Sequence, residues 1–149
     1  MALHFTLDEF ELRSQNLCKA LDESHLDGIL IFKQESMYYL TGYDTFGFCF
    51  FQCLYFGSDG RKTLLTRAPD LRQAQNTSTL DDIRVWTDAA DVSPAILLRD
   101  MLKDLGCLGQ RLGIELDSYG LTGRSWNAVH SALDSFCELT DVSELVGRL

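Results

Sequence analysis

The sequence predicts a three-layer α/β domain, a mixed sheet of about six strands held between helices. Alternating helical and strand patterns fill the second half of the chain, which argues for parallel crossovers. The turn signal Gly57-Ser58-Asp59-Gly60 stands between two apolar strands and argues for an antiparallel hairpin. The continuous apolar run in residues 27–32 suits a strand covered on both faces.

The elements follow in order. Thr6 with Glu9 three positions on is a capping-box signal, and Phe5 and Phe10 occupy the staple positions around it. Phe10, Leu17, Cys18 and Leu21 form one stripe of a helix ending near Ser24. Residues 27–32 are the first strand. Residues 35–40 are a short helix stopped by Gly42. Residues 46–56, rich in aromatics, read as one long strand, paired through the turn to a return strand over 62–66. Pro69 opens a short helix to about residue 75, and residues 82–86 are a strand. Ser93 caps a helix with Pro94 at its first position and Leu98, Met101, Leu102 and Leu105 on its buried face; Gly106 stops it. Residues 112–116 are a strand. Trp126, Val129, Leu133 and Phe136 mark a helix, and residues 137–140 a last short strand.

Composition narrows the function. The chain has 149 residues, a length that suits one domain. Apolar residues at 46% and charged residues at 23% make an ordinary globular balance, and 11% aromatics argue against disorder. Thirteen Lys and Arg against twenty-two Asp and Glu leave a net charge of −9. That balance disfavours nucleic acid and anionic membrane surfaces as partners. The start, Met1-Ala2-Leu3-His4, has no basic region followed by an apolar run, so no secretory leader is expected there. Five cysteines at scattered positions then read as reduced thiols in a cytoplasmic protein. Cys49 and Cys53 share a face on either a strand or a helix, but no further ligands at zinc spacing accompany them.

Catalytic constellations are absent from the pattern. His4, His25 and His130 form no metal pair. Glu115 and Asp117 follow a strand end, where α/β folds place ligands, but Asp117 reads first as a helix cap. Gly120-Leu121-Thr122-Gly123 lacks the Gly-Lys-Ser/Thr ending of a phosphate loop and reads as a turn into a helix. The segment from Tyr38 to Phe48 is the most specified. Its aromatics and two glycines suit a packed corner; the functional alternative is a loop presenting Tyr43, Asp44, Phe46 and Phe48 to a ligand or another subunit.

In order along the chain stand Leu26-Asp27-Gly28, Glu35-Ser36-Met37-Tyr38-Tyr39-Leu40-Thr41-Gly42-Tyr43, and Leu64-Leu65-Thr66-Arg67. Asp82-Ile83-Arg84-Val85-Trp86, Leu112-Gly113-Ile114-Glu115 and Asp141-Val142-Ser143-Glu144-Leu145-Val146 follow. The ordered set resembles the N-terminal domain of the creatinase, prolidase and aminopeptidase P family, metallohydrolases whose catalytic half has the pita-bread fold. The variant around Tyr43 to Phe48 looks most like Xaa-Pro dipeptidases or ectoine-type amide hydrolases. The resemblance implies a ribonuclease-H-like fold over residues 1–149. It implies two divalent metal ions (Mn, Co or Zn), held by two Asp, one His and two Glu of a C-terminal catalytic domain that this sequence lacks. It also implies no catalytic residue or metal ligand here, a role in shaping the substrate pocket and a homodimer, and a partner in the chain's own catalytic domain. Tyr43, Asp44, Phe46 and Phe48 match the loop that reaches the partner subunit's active site. The abrupt end at Gly147-Arg148-Leu149 is expected of a piece excised from a longer enzyme. Substrate stays open among Xaa-Pro dipeptides, creatine-like acids and ectoine-like amidines. The alternatives are a stand-alone small-molecule domain with its site near Glu115 and Asp117, or an assembly module working through the aromatic corner.

Overall fold

The structure is a computed structural model that describes residues 3–149. Met1 and Ala2, the first two residues of the segment read as no leader, lie outside the described residues. Its helices are α1 (Leu7–Glu23), α2 (Gln34–Thr41), α3 (Leu71–Thr77), α4 (Pro94–Asp104) and α5 (Gly123–Leu133). Its strands are β1 (Gly28–Ile31), β2 (Cys53–Gly57), β3 (Lys62–Arg67), β4 (Asp82–Trp86), β5 (Arg111–Ile114) and β6 (Glu138–Asp141).

The six strands make one sheet in the order β4-β3-β2-β1-β5-β6. Only β2 runs against the rest, antiparallel to both β1 and β3, while β3–β4, β1–β5 and β5–β6 are parallel. The three-layer mixed sheet expected from the sequence is therefore the observed one. Alternate side chains of each strand point to opposite faces. Ile29, Ile31, Leu54, Phe56 and Leu64 meet Leu17 and Leu21 of α1, Met37 and Leu40 of α2, and Ala74 of α3. Leu30, Cys53, Tyr55, Leu65, Leu112 and Ile114 meet Leu98, Met101 and Leu102 of α4 and Val129 and Leu133 of α5.

Local chemistry sets the helix ends. Thr6 Oγ1 accepts from the Glu9 amide at 3.2 Å, and Phe5 meets Phe10 edge-on at 6.0 Å. The reciprocal half of the box is not made, because the Glu9 carboxylate takes Arg13 at 3.1 Å. Arg13 is buried with its guanidinium 4.2 Å from the Phe5 ring centre and 4.4 Å from that of Tyr39, a cation–π clamp joining α1 to α2. Gly42 ends α2 at φ +82, donating its amide to Tyr38 O at 2.8 Å. A Cβ there would stand 2.8 Å from the Thr77 carbonyl oxygen. Gly42→Ala should therefore cost about 2 kcal/mol, the left-handed penalty plus the displaced backbone, read as a lower urea midpoint at unchanged slope.

Four sequence expectations are corrected. The long strand over 46–56 is strand only from Cys53; Gly47–Cys49 is a 3-10 turn. Pairing with β3 ends at Cys53↔Leu65, and Trp86 Nε1 takes the Phe51 carbonyl at 2.9 Å, so the chain leaves the sheet there. Cys49 is accordingly exposed and Cys53 buried, and the two share no face. Asp117 caps nothing: α5 is capped by Thr122, whose Oγ1 accepts from the Ser125 amide at 3.1 Å. Finally, α5 stops at Leu133; Phe136 packs in the core from beyond Ser135, which takes φ 62.

Candidate functional site

The C-terminal ends of the five parallel-running strands gather at one end of the sheet, where open α/β folds place their ligands. Connections leave β1 toward β2 and β5 toward β6, so the crevice falls between β1 and β5. Here it is filled from within. Glu115, the residue after β5, is fully buried. Its Oε1 accepts from the amides of Phe32 at 3.1 Å and Lys33 at 3.0 Å, and its Oε2 from the Ser36 hydroxyl at 2.7 Å. Lys33 is the N-cap of α2 and has no capping side chain of its own, so a carboxylate from across the sheet caps that helix. Burial pushes the Glu115 carboxyl up; the Lys33 amide, the Ser36 hydroxyl, the Lys33 charge and the Phe32 amide pull it back only in part. A ligand site at Glu115 is thus already occupied by the chain.

The same end anchors the last described segment. Ser143 Oγ accepts from the amides of Leu116 and Asp117, each at 2.9 Å, and donates to Asp141; Lys33 Nζ donates to the Ser143 carbonyl. The hydrogen bond from Ser143 holds the Asp141 carboxyl below its ordinary value.

The four residues singled out from sequence separate into two groups. Tyr43 is fully buried. Its hydroxyl donates to Gln52 Oε1 at 3.0 Å and lies 3.1 Å from Thr66 Oγ1; Gln52 Nε2 reaches Gln34 Oε1 at 2.9 Å, and Gln34 Nε2 returns to the Tyr43 carbonyl at 2.8 Å. This closed polar ring is the core of the corner, and burial raises the phenol above its ordinary value. Tyr43 is no part of the exposed surface. Asp44, Phe46 and Phe48 are exposed, Phe46 at 93%, with Phe50 beside them.

That aromatic run is held from below. Thr45 Oγ1 donates to Asp70 at 2.9 Å and accepts from the Gly47 amide at 3.0 Å. A Cβ on Gly47 would stand 2.5 Å from the Asp70 carboxylate, so a larger residue there would push that side chain away from Thr45 and Arg67. Arg67 pairs with Asp70 at 3.7 Å and Asp88 at 3.5 Å, and its guanidinium lies 3.6 Å from the centre of the Phe50 ring. Sequence reasoning had no signal for the Arg67–Asp70–Phe50 latch: Arg67 and Asp70 are near neighbours along the chain, but Phe50 comes from the turn before β2 and only the fold brings it onto Arg67. Among the described residues no three His, Cys, Asp or Glu side chains converge to hold a metal ion, and no hydrolytic step through a metal is derived for this chain. No helix among them is long and apolar enough to cross a membrane.

A sheet whose strand-end crevice is closed by its own carboxylate, with a braced aromatic turn beside it, defines an α/β domain that presents a surface. Residues 13–149 match the Creatinase/Prolidase N-terminal domain, and the chain belongs to that family. It is similar to the ectoine hydrolase of Halomonas elongata, 24% identical over 136 residues, which are 87% of this chain and 34% of that protein. Its fold matches the Xaa-Pro dipeptidase from Bacillus anthracis with TM-score 0.74 and 23% identity, over 93% of this chain and 35% of that one. It also matches the N-terminal domain of the cytoplasmic peptidase PepQ from Mycobacterium tuberculosis, with TM-score 0.70, 24% identity, and coverage of 92% and 97%. The chain thus spans about a third of the length of the ectoine hydrolase and of the dipeptidase.

Proposed function

We propose that this chain is the non-catalytic N-terminal domain of a dinuclear-metal hydrolase of the Xaa-Pro dipeptidase or aminopeptidase P kind. In this reading Asp44, Phe46 and Phe48 shape the substrate pocket and the homodimer interface. The metals, two ions of Mn, Co or Zn, and the catalytic residues belong to a C-terminal domain that acts as its partner. The observation that carries the reading is the exposed aromatic turn braced by Thr45, Asp70 and Arg67. An apolar run of this kind is a surface waiting for cover. Five free thiols and the PepQ relative support a reducing, cytoplasmic setting. The stand-alone ligand-binding alternative is weakened at Glu115, whose carboxylate is already taken by the Phe32 and Lys33 amides and the Ser36 hydroxyl.

The test begins with the reading frame after the codon for Leu149 and expression of the product. The longer protein should hydrolyse Xaa-Pro dipeptides with added divalent metal. Phe46→Ala with Phe48→Ala should raise KM or the dimer dissociation constant by about tenfold, the loss of two buried aromatic contacts. Unchanged KM and unchanged oligomeric state in an active double variant would remove the loop from both roles.

A further inference from the structure

The sheet ends in two edge strands, β4 and β6. We propose that β4 pairs antiparallel with β4 of a second copy of this chain, joining two sheets into one. The inference does not rest on the function proposed above: it concerns the sheet edge, and that reading the aromatic turn.

An edge strand leaves a row of backbone groups unpaired, and folded chains usually cover or interrupt it. Here β4 is neither covered nor interrupted. Among the described residues no N–H or C=O of Asp82–Trp86 is bonded outside the ladder with β3. That ladder runs without a bulge from Thr63↔Asp82 to Arg67↔Trp86. The central strands β1 and β2 are buried throughout, whereas β4 is buried only at Trp86.

The charges select the occupant. Asp82, Arg84 and Trp86 share one face of the strand, and Ile83 and Val85 the other. Trp86 accordingly packs in the core under α4 and α5, and Ile83 against the core under α1, α2 and α3. When two copies meet about a two-fold axis through the sheet, side chains directly opposite each other lie on one face, so the axis passes at a residue and not between two. Centring it on Asp82 sets Asp against Asp, and centring it on Arg84 sets Arg against Arg. Centring it on Ile83 sets each Asp82 opposite the other copy's Arg84 and brings the two Ile83 side chains together. That register matches charge on both flanks and apolar contact in the middle, and a second copy carries the matching pattern by construction. The other edge offers no such match, since β6 carries Glu138 and Asp141 and no base.

Arg84 is free to turn toward a second copy. It lies 3.4 Å from its own Asp82 and 3.2 Å from Asp104, in pairs open to solvent. Exposed pairs of this kind contribute little, so exchanging them across an interface costs about as little. Asp82 also accepts from Thr63 Oγ1 at 2.9 Å, which holds its carboxylate at the edge.

Sedimentation equilibrium of the 149-residue chain tests this. The contact is short, so a monomer–dimer equilibrium with Kd on the order of 100 μM is expected. Arg84→Asp and Asp82→Arg each set like charges opposite on both flanks, and each should raise Kd at least about tenfold. Mixed in equal amounts, the two variants set the Arg pair of one against the Asp pair of the other. The mixture should associate to within about threefold of wild type, as should the double variant Asp82→Arg with Arg84→Asp. A variant that merely folds badly is not rescued by mixing. Amide exchange at residues 82–86 should slow as concentration rises, while that at residues 138–141 should not. The proposal is overturned by a chain that stays monomeric at about 1 mM, by association that both single variants leave unchanged, or by a mixture that stays apart.

Discussion

Glu115→Ala should remove about 3–5 kcal/mol of stability, because two buried backbone amides and the Ser36 hydroxyl lose their acceptor at once. Against a total of roughly 5–15 kcal/mol for a domain, that is enough to leave much of the population unfolded at physiological temperature. Glu115→Gln should cost far less. Its side-chain oxygen can keep the Phe32 and Lys33 amides, and its amide nitrogen can donate to Ser36 Oγ once that hydroxyl turns. Urea unfolding of both variants gives the comparison. A Glu115→Ala midpoint equal to wild type would mean that water replaces the carboxylate and that the crevice is open.

The pH dependence follows from the same carboxyl. Its folded value lies above its ordinary one, because burial outweighs the hydrogen bonds it accepts. Between those two values the folded chain holds a proton that the unfolded chain has released. The stabilising contribution is therefore complete below the unfolded value and is lost as pH rises through the folded one. Wild type should lose stability relative to Glu115→Gln as pH climbs out of the usual carboxylate range toward neutrality. A gap between the two that stays constant with pH would show that the Glu115 carboxyl titrates normally.

What could be read from the sequence followed range along the chain. Periodicity, proline positions and caps act within a few residues, so Thr6, Ser93 and Pro94 placed their helices correctly. The turn at Gly57 to Gly60 likewise placed the hairpin. The segment over 46–56 misled because its alternating aromatics resemble a strand, while strand length is decided by what β3 offers to pair with. Glu115 was noticed for its place at a strand end, but its partners lie 79 to 83 positions away and no spacing rule reaches them. Tyr43 and Phe46 sit three apart in one aromatic stretch with the same composition signal. Only the tertiary fold sends one inward and the other out.

That division supports the second large effect. Tyr43→Ala should cost about 3–5 kcal/mol, as for other aromatic truncations in a core. The removed ring is fully buried, and Gln52 and Thr66 lose the hydroxyl that joins them. Tyr43→Phe isolates the polar part. It keeps the ring and removes one hydrogen-bonding group, for about 1–1.5 kcal/mol, softened because Thr66 Oγ1 already lies 3.4 Å from Gln52 Oε1. Phe46→Ala, at a side chain 93% exposed, should stay within about 0.5 kcal/mol of wild type. Thermal or urea unfolding of the three variants orders them. Phe46 truncation costing as much as Tyr43 truncation would mean that the aromatic turn packs onto this domain in solution, and the surface assigned to pocket and interface would then be absent. The expected order leaves Phe46 free to act on a second surface, so any defect its loss causes in the longer protein can be read as lost contact and not as lost folding.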